Sequence, residues 1–224
     1  MSERHQLIYL RCHEDLVIHS CHADRGSLHL PIRAWLGKGL PCIYARQEIK
    51  EGSRINLGLP LLIANKKHAL GFSVDKGALL KEQSLPHLIS MLDFFRDSYQ
   101  INNILDRLTS SVPRFANFDF ISVYGSFLFA YLSGQDFVRK QSDLDLLIEY
   151  PNCSLAQLNE LIHCIHKIFG RTIDGEVRFQ QLGDFSLKEL VDVSAKTLLV
   201  KKRDSIELLA RSELYACYPA LCSN

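Results

Sequence analysis

"YGSFLFAYLSGQDFVRKQSDLDLLIEYP", residues 124–151, decides how this chain folds. A short apolar run ends at Gly125-Ser126, a mostly apolar segment from Phe127 to Ser133 follows and closes on Gly134, and Asp143 and Asp145 then open the apolar run "LDLLIEY". Alternate side chains of a strand share a face, so Asp143 and Asp145 are expected on one face and Leu144 and Leu146 on the other. Two adjacent carboxylates repel, which raises one pKa unless a cation lies between them. Mg²⁺ resolves that conflict, because it binds one or two carboxylates together with substrate phosphates. The pair is therefore expected to serve metal-assisted phosphoryl transfer.

Gly125 and Ser126 supply the other half of that chemistry. A glycine at the strand end lets backbone approach a phosphate closely. The helix that Ser126 opens offers free N–H groups and the positive end of its dipole to an anion. A third carboxylate is expected from the strand "IDGEVRF", where Asp174 and Glu176 alternate; Asp174 is favoured and Glu176 is the second choice. A lone Asp-x-Asp is commonly a solvated strand edge. The conjunction of a Gly-Ser corner, acids on an apolar strand and a further acidic strand beyond a helix is what points to catalysis.

Working outward, the chain has 224 residues, room for one large domain or two small ones. Its 47% apolar and 23% charged residues are the balance of a folded protein. The formal net charge of +1 gives no global field toward nucleic acid or membrane, so neither is expected as a partner. Seven irregularly spaced cysteines, with no signal-peptide pattern and no run of the ~18 apolar residues that spanning requires, suggest a cytoplasmic protein with reduced thiols.

Residues 1–83 are read as a β-rich domain: "HQLIYL", "DLVIHS", "PCIYARQ" and "ALGFSV" have strand character, "LPIRAWLGKG" fits one short helix, and "INLGLPLLIANKKHALGFSV" fits a hairpin turning through "ANKK". From Ser84 the period turns helical through Leu85, Leu88, Ile89, Leu92 and Phe95, with Ser84 as N-cap and Pro86 in the first turn. Residues 84–224 are read as the catalytic domain, with strands at "FDFISVYG", "DLDLLIEY", "IDGEVRFQQL" and "TLLVKK". A helix from Ser154 to Gly170 joins the second of these to the third. The fold class expected is α+β.

Other constellations are weaker. Cys12, His13, His19, Cys21, His22 and His29 invite zinc, but the paired C-x₂₋₄-C spacing of structural sites is missing. His163 and His166 share a helix face without a further ligand. No Ser/His/Asp triad signature and no G-x-x-x-x-G-K-[ST] loop is present, and a kinase or P-loop ATPase is disfavoured.

Strand, Gly125-Ser126, helix and Asp143-x-Asp145 resemble the nucleotidyltransferase superfamily of the DNA polymerase β type. More closely, Gly125, Ser126, the helix ending at Ser133-Gly134, and the Ser-Asp-Leu-Asp-Leu-Leu run from Ser142 to Leu147 resemble the malonate decarboxylase holo-acyl-carrier-protein synthase family, the phosphoribosyl-dephospho-CoA transferases. The likeness extends to "RHQLIYL", with Gln6 where the family has Asp, to Trp35, Gly39, Pro41 and Arg46, to "INLGLPL", and to "TLLVKK" with Lys201.

The resemblance implies a polymerase-β-like domain with a mixed sheet flanked by helices. It implies transfer of the 2′-(5″-phosphoribosyl)-3′-dephospho-CoA group from its 5″-triphosphate donor to a serine of the malonate decarboxylase acyl carrier subunit, with release of pyrophosphate. Asp143 and Asp145 would hold Mg²⁺, Asp174 or Glu176 would complete the site, and Gly125, Ser126 and Ser142 would bind substrate. Lys201, with Arg139 or Lys140, would offset phosphate charge. The alternatives are another Mg²⁺-dependent enzyme moving AMP or CMP to a small molecule, RNA or protein, and a binding module that retains the fold without catalysis.

Overall fold

The alternating apolar residues that suggest strands in the first third of the sequence do build a sheet. The structure, a computed structural model, describes residues 4–11, 15–19, 28–47, 53–63 and 66–223. The chain divides into two compact units: Met1–Leu85 with Arg203–Ser205, and Pro86–Lys202 with Ile206–Asn224.

In the first unit, strands β1 (Leu7–Leu10), β2 (Val17–Ile18), β3 (Cys42–Tyr44), β4 (Arg54–Ile63), β5 (Lys66–Asp75) and β6 (Leu79–Gln83) form one sheet in the order β2-β5-β4-β3-β1-β6. Every pairing in it is antiparallel. Strand β4 alternates as its sequence requires, burying Ile55, Leu57, Leu59 and Leu61. Helix α1 (His29–Gly37) buries Ile32, Trp35 and Leu36. Trp35 Nε1 donates to the carbonyl of Pro41 at 2.9 Å, so the buried indole is satisfied and the chain after the helix is tied back to it. Gly39 takes a left-handed φ of +69° in that turn. Lys66 and Lys67 belong to β5 rather than to the hairpin turn; Ala64 and Asn65, like Cys12, His13, Cys21 and His22, lie outside the described residues.

The second unit contains α2 (Leu92–Tyr99), α3 (Ile104–Ser111), β7 (Ile121–Tyr124), α4 (Gly125–Ser133), β8 (Leu144–Glu149) and α5 (Leu155–Phe169). It continues with β9 (Ile173–Phe179), β10 (Gly183–Ser186), α6 (Leu187–Val191), β11 (Thr197–Lys201), β12 (Ile206–Ala210) and α7 (Arg211–Cys217). The sheet order is β12-β11-β10-β9-β8-β7. Strands β8 and β9 are parallel and all other pairs antiparallel, so the sheet is mixed and the whole chain is α+β.

Helix α5 is the crossover that parallel strands need. It starts in a capping box: Gln157 N–H donates to Ser154 Oγ at 3.3 Å, and Ser154 N–H donates to Gln157 Oε1 at 3.1 Å. It ends at Gly170 with φ +60°, and it buries Leu158, Leu161, Ile165, Ile168 and Phe169. Phe95 packs its ring on Phe127 and Phe169, at 5.8 and 4.8 Å between centroids.

Ser84 is not the N-cap that the helical spacing suggests. Residues 84–86 lie outside any helix; His87 is extended and bridges Ser122, and Val123 N–H donates to the Pro86 carbonyl at 3.0 Å. A residue before proline disfavours helix, and the edge of β7 offers this segment partners instead. Helical turns begin only at Leu88.

Cys42, Cys153, Cys164, Cys217 and Cys222 are free thiols. Burial pushes the Cys42 thiol well above its ordinary value and Cys153 up to about 11, so both stay protonated. Among the described residues, no helix is long and apolar enough to cross a membrane.

Candidate active site

The corner where β7 becomes α4 is built around a missing side chain. Gly125 has φ +66°, and a Cβ on it would lie 1.9 Å from Asp145 Oδ2. Tyr124 and Asp145 are register partners on the antiparallel pair β7–β8, which brings that carboxylate to the glycine. Only glycine both adopts this backbone and leaves room for the acid. Helix α4 has no acidic residue in its own first turn, so the Asp145 carboxylate meets a helix start that favours negative charge. Ser126 follows at once and is buried.

Asp143 stands just before β8, which begins at Leu144, rather than inside the strand as the alternation suggests. The turn ahead of it is held from two sides. Arg139 N–H donates to Ser142 Oγ at 2.8 Å, and Ser142 N–H donates to the Arg139 carbonyl at 3.0 Å. Arg171 Nη1 donates to the carbonyls of Arg139 and Lys140 at 3.0 and 2.5 Å, with its guanidinium 5.9 Å from the Phe127 ring centroid. Ser142 therefore shapes the approach to Asp143, and the Arg139 side chain is paired with Asp136 at 2.8 Å.

Asp174 is the register partner of Asp145 across the parallel pair. Its Oδ1 accepts from Gly175 N–H at 2.8 Å, and its Oδ2 accepts from Lys188 Nζ at 2.8 Å. The hydrogen bond from Lys188 to Asp174 holds the lysine above its ordinary pKa, aided at longer range by the charges of Asp143 and Asp145. Lys188 thus pairs with Asp174 and feels the charges of Asp143 and Asp145 from farther off. Lys188 sits on α6, whose end is fixed by the buried Arg211. That guanidinium donates to the carbonyls of Leu190 (2.9 Å), Glu189 (2.8 Å), Asp192 (2.8 Å) and Ala195 (2.6 Å).

Glu176, two residues along β9 from Asp174, has a different cation for partner. Glu176 is buried and its Oε1 accepts from Lys201 Nζ at 2.6 Å. Next to them on the sheet, Arg178 grips the buried Asp184 through two bonds of 2.7 and 2.9 Å. Each buried charge is paired, as burial demands. The structure thus brings Gly125, Ser126, Asp143, Asp145 and Asp174 to one corner, and joins Glu176 to Lys201 instead. Asp143, Asp145 and Asp174 present the hard oxygen donors that Mg²⁺ takes, and the space at Gly125 seats one of them. Lys188, Arg171 and Arg211 escape sequence reading: no spacing distinguishes them among 26 basic residues, and only folding brings them to their partners.

A family model described as phosphoribosyl-dephospho-CoA transferase MdcG C-terminal domain matches residues 98–212, a segment that contains the whole corner. Three curated relatives are each named phosphoribosyl-dephospho-CoA transferase. The one from Xanthomonas axonopodis pv. citri (strain 306) is 27% identical over 225 residues, spanning 96% of this chain and 97% of the relative. That from Xanthomonas campestris pv. campestris (strain 8004) is 25% identical over 228 residues, with the same coverage of 96% and 97%. That from Xanthomonas euvesicatoria pv. vesicatoria (strain 85-10) is 27% identical over 218 residues, again spanning 96% and 97%. No solved structure matches the chain.

Proposed function

This chain belongs to the phosphoribosyl-dephospho-CoA transferase MdcG family, and we propose that it transfers the 2′-(5″-phosphoribosyl)-3′-dephospho-CoA group from its 5″-triphosphate to a serine of the malonate decarboxylase acyl carrier subunit. The observation that carries the reading is the corner itself: a glycine without room for a Cβ beside Asp145, a buried serine, and Asp145 and Asp174 as register partners on two parallel strands. The same arrangement supports a nucleotidyltransferase-like architecture for the second unit.

In the proposed reaction the serine oxygen of the carrier bonds to the α-phosphorus of the donor. The α–β phosphoanhydride bond breaks, and pyrophosphate leaves. Asp143 and Asp145 are the residues that would hold Mg²⁺. That ion, when bound, would neutralise charge on the donor phosphates and on the leaving group. Ser126 and the first N–H groups of α4 receive phosphate oxygens. Asp174 takes the proton of the incoming hydroxyl, which requires its Oδ2 to leave Lys188. Ser142 contributes through the turn it closes, and Lys201 through its hold on Glu176.

Intact mass of the carrier subunit tests the assignment. Incubation with the protein, Mg²⁺ and the triphosphate donor is expected to add the mass of the prosthetic group. A carrier that stays unmodified, while ATP or CTP is consumed with pyrophosphate release on another acceptor, would replace this reading with AMP or CMP transfer.

Gly125→Ala is expected to lower the transfer rate about 100-fold, because the new methyl group displaces the Asp145 carboxylate. The initial rate of carrier modification reads the effect, and an unchanged rate would separate the glycine from the chemistry.

A further inference from the structure

We propose that Lys188 is the resident counter-ion of the acidic corner, holding Asp174 in the free enzyme and exchanging it for a donor phosphate when metal and donor arrive. The inference rests on the corner being the metal-dependent transfer site proposed above. Four observations lead to it. Lys188 Nζ lies 2.8 Å from Asp174 Oδ2, so the ammonium occupies the side of that carboxylate left open by Gly175 N–H. The Lys188 side chain is 61% exposed, so it can swing away without unpacking anything. Its backbone is held, because Arg211 bonds the carbonyls of Glu189 and Leu190 at the end of α6 and those of Asp192 and Ala195 just beyond it. Neighbouring cations have other partners: Lys201 is on Glu176 and Arg178 is on Asp184.

Asp174 and its register partner Asp145, with Asp143 near the start of the same strand, would repel one another without a cation. A tethered ammonium relieves that repulsion while the enzyme is empty. A divalent ion entering the corner must then compete with it, and the released lysine, still anchored through α6, is left beside the incoming polyphosphate. Lys188 is thus a positioning residue for Asp174 before the donor binds and a phosphate contact afterwards.

This double role predicts effects of opposite sign, which a merely structural lysine would not give. Removing the ammonium is expected to make the empty enzyme bind metal more tightly and the donor more weakly. Mn²⁺ binding to the full chain, measured without donor from the paramagnetic resonance of free Mn²⁺, is the primary readout. Lys188→Met, and Lys188→Gln as a second neutral variant, are expected to bind Mn²⁺ about fivefold more tightly than the unsubstituted protein. Lys188→Arg, which keeps the competing charge, is expected to stay at the starting affinity. The donor KM of the neutral variants is expected to rise about tenfold. Equal or weaker Mn²⁺ binding by the neutral variants, with the unsubstituted protein binding normally, would overturn the exchange role and leave the transferase reading intact. Absence of Mn²⁺ binding in every protein would overturn both.

Discussion

Asp145→Asn is expected to reduce carrier modification by about 10³-fold while leaving the protein folded. Asparagine has the shape of aspartate but lacks the charge that a divalent ion and an adjacent polyphosphate demand. The position has no substitute. It is the register partner of Tyr124 on one side and of Asp174 on the other, and its carboxylate fills the space that Gly125 leaves. Removing one of three neighbouring negative charges also lessens their mutual repulsion, so stability is not expected to fall with activity. Initial rates together with the melting temperature check this. A variant retaining more than about a tenth of the rate would remove Asp145 from the chemistry.

Gly175→Ala is expected to be the most damaging single methyl group in the second unit, destabilising it by about 3–5 kcal/mol. Two independent costs add. The residue has φ +142°, a conformation almost closed to residues with a side chain, and a Cβ there would lie 1.9 Å from the Leu146 carbonyl oxygen. That oxygen belongs to the neighbouring strand β8, buried and unable to retreat. The shift must therefore spread along β9, to Asp174 on one side and Glu176 on the other. Denaturant unfolding followed by tryptophan-independent circular dichroism would read the loss. A variant as stable as the starting protein would mean that β8 and β9 tolerate separation.

Much of the corner was legible in the sequence because local chemistry and final geometry agree there. Gly125-Ser126 reads as a strand-to-helix corner and becomes one. Ser154 and Gly170 read as the ends of a helix and cap it at both. Elsewhere the deciding partner is remote. The spacing of Leu85, Leu88, Ile89 and Leu92 is amphipathic, yet Pro86 and the edge of β7 keep residues 84–87 out of the helix. Strand β6, "LLKEQ", is almost wholly exposed and carries no alternation to read. Glu176 has the same local credentials as Asp174, and what separates them is the cation each meets: Lys201, 25 residues on, against Lys188 on α6. Asp143 falls outside β8 because the turn from Arg139 to Ser142 ends beside it, and Arg171 pins that turn from beyond α5.

The most direct measurement is the anomalous scattering of a crystal grown with Mn²⁺ and a non-hydrolysable triphosphate. A peak in contact with the carboxylates of Asp143 and Asp145, with the triphosphate reaching toward Ser126, is the predicted result. Manganese bound elsewhere, with those two aspartates carrying none, would contradict the account.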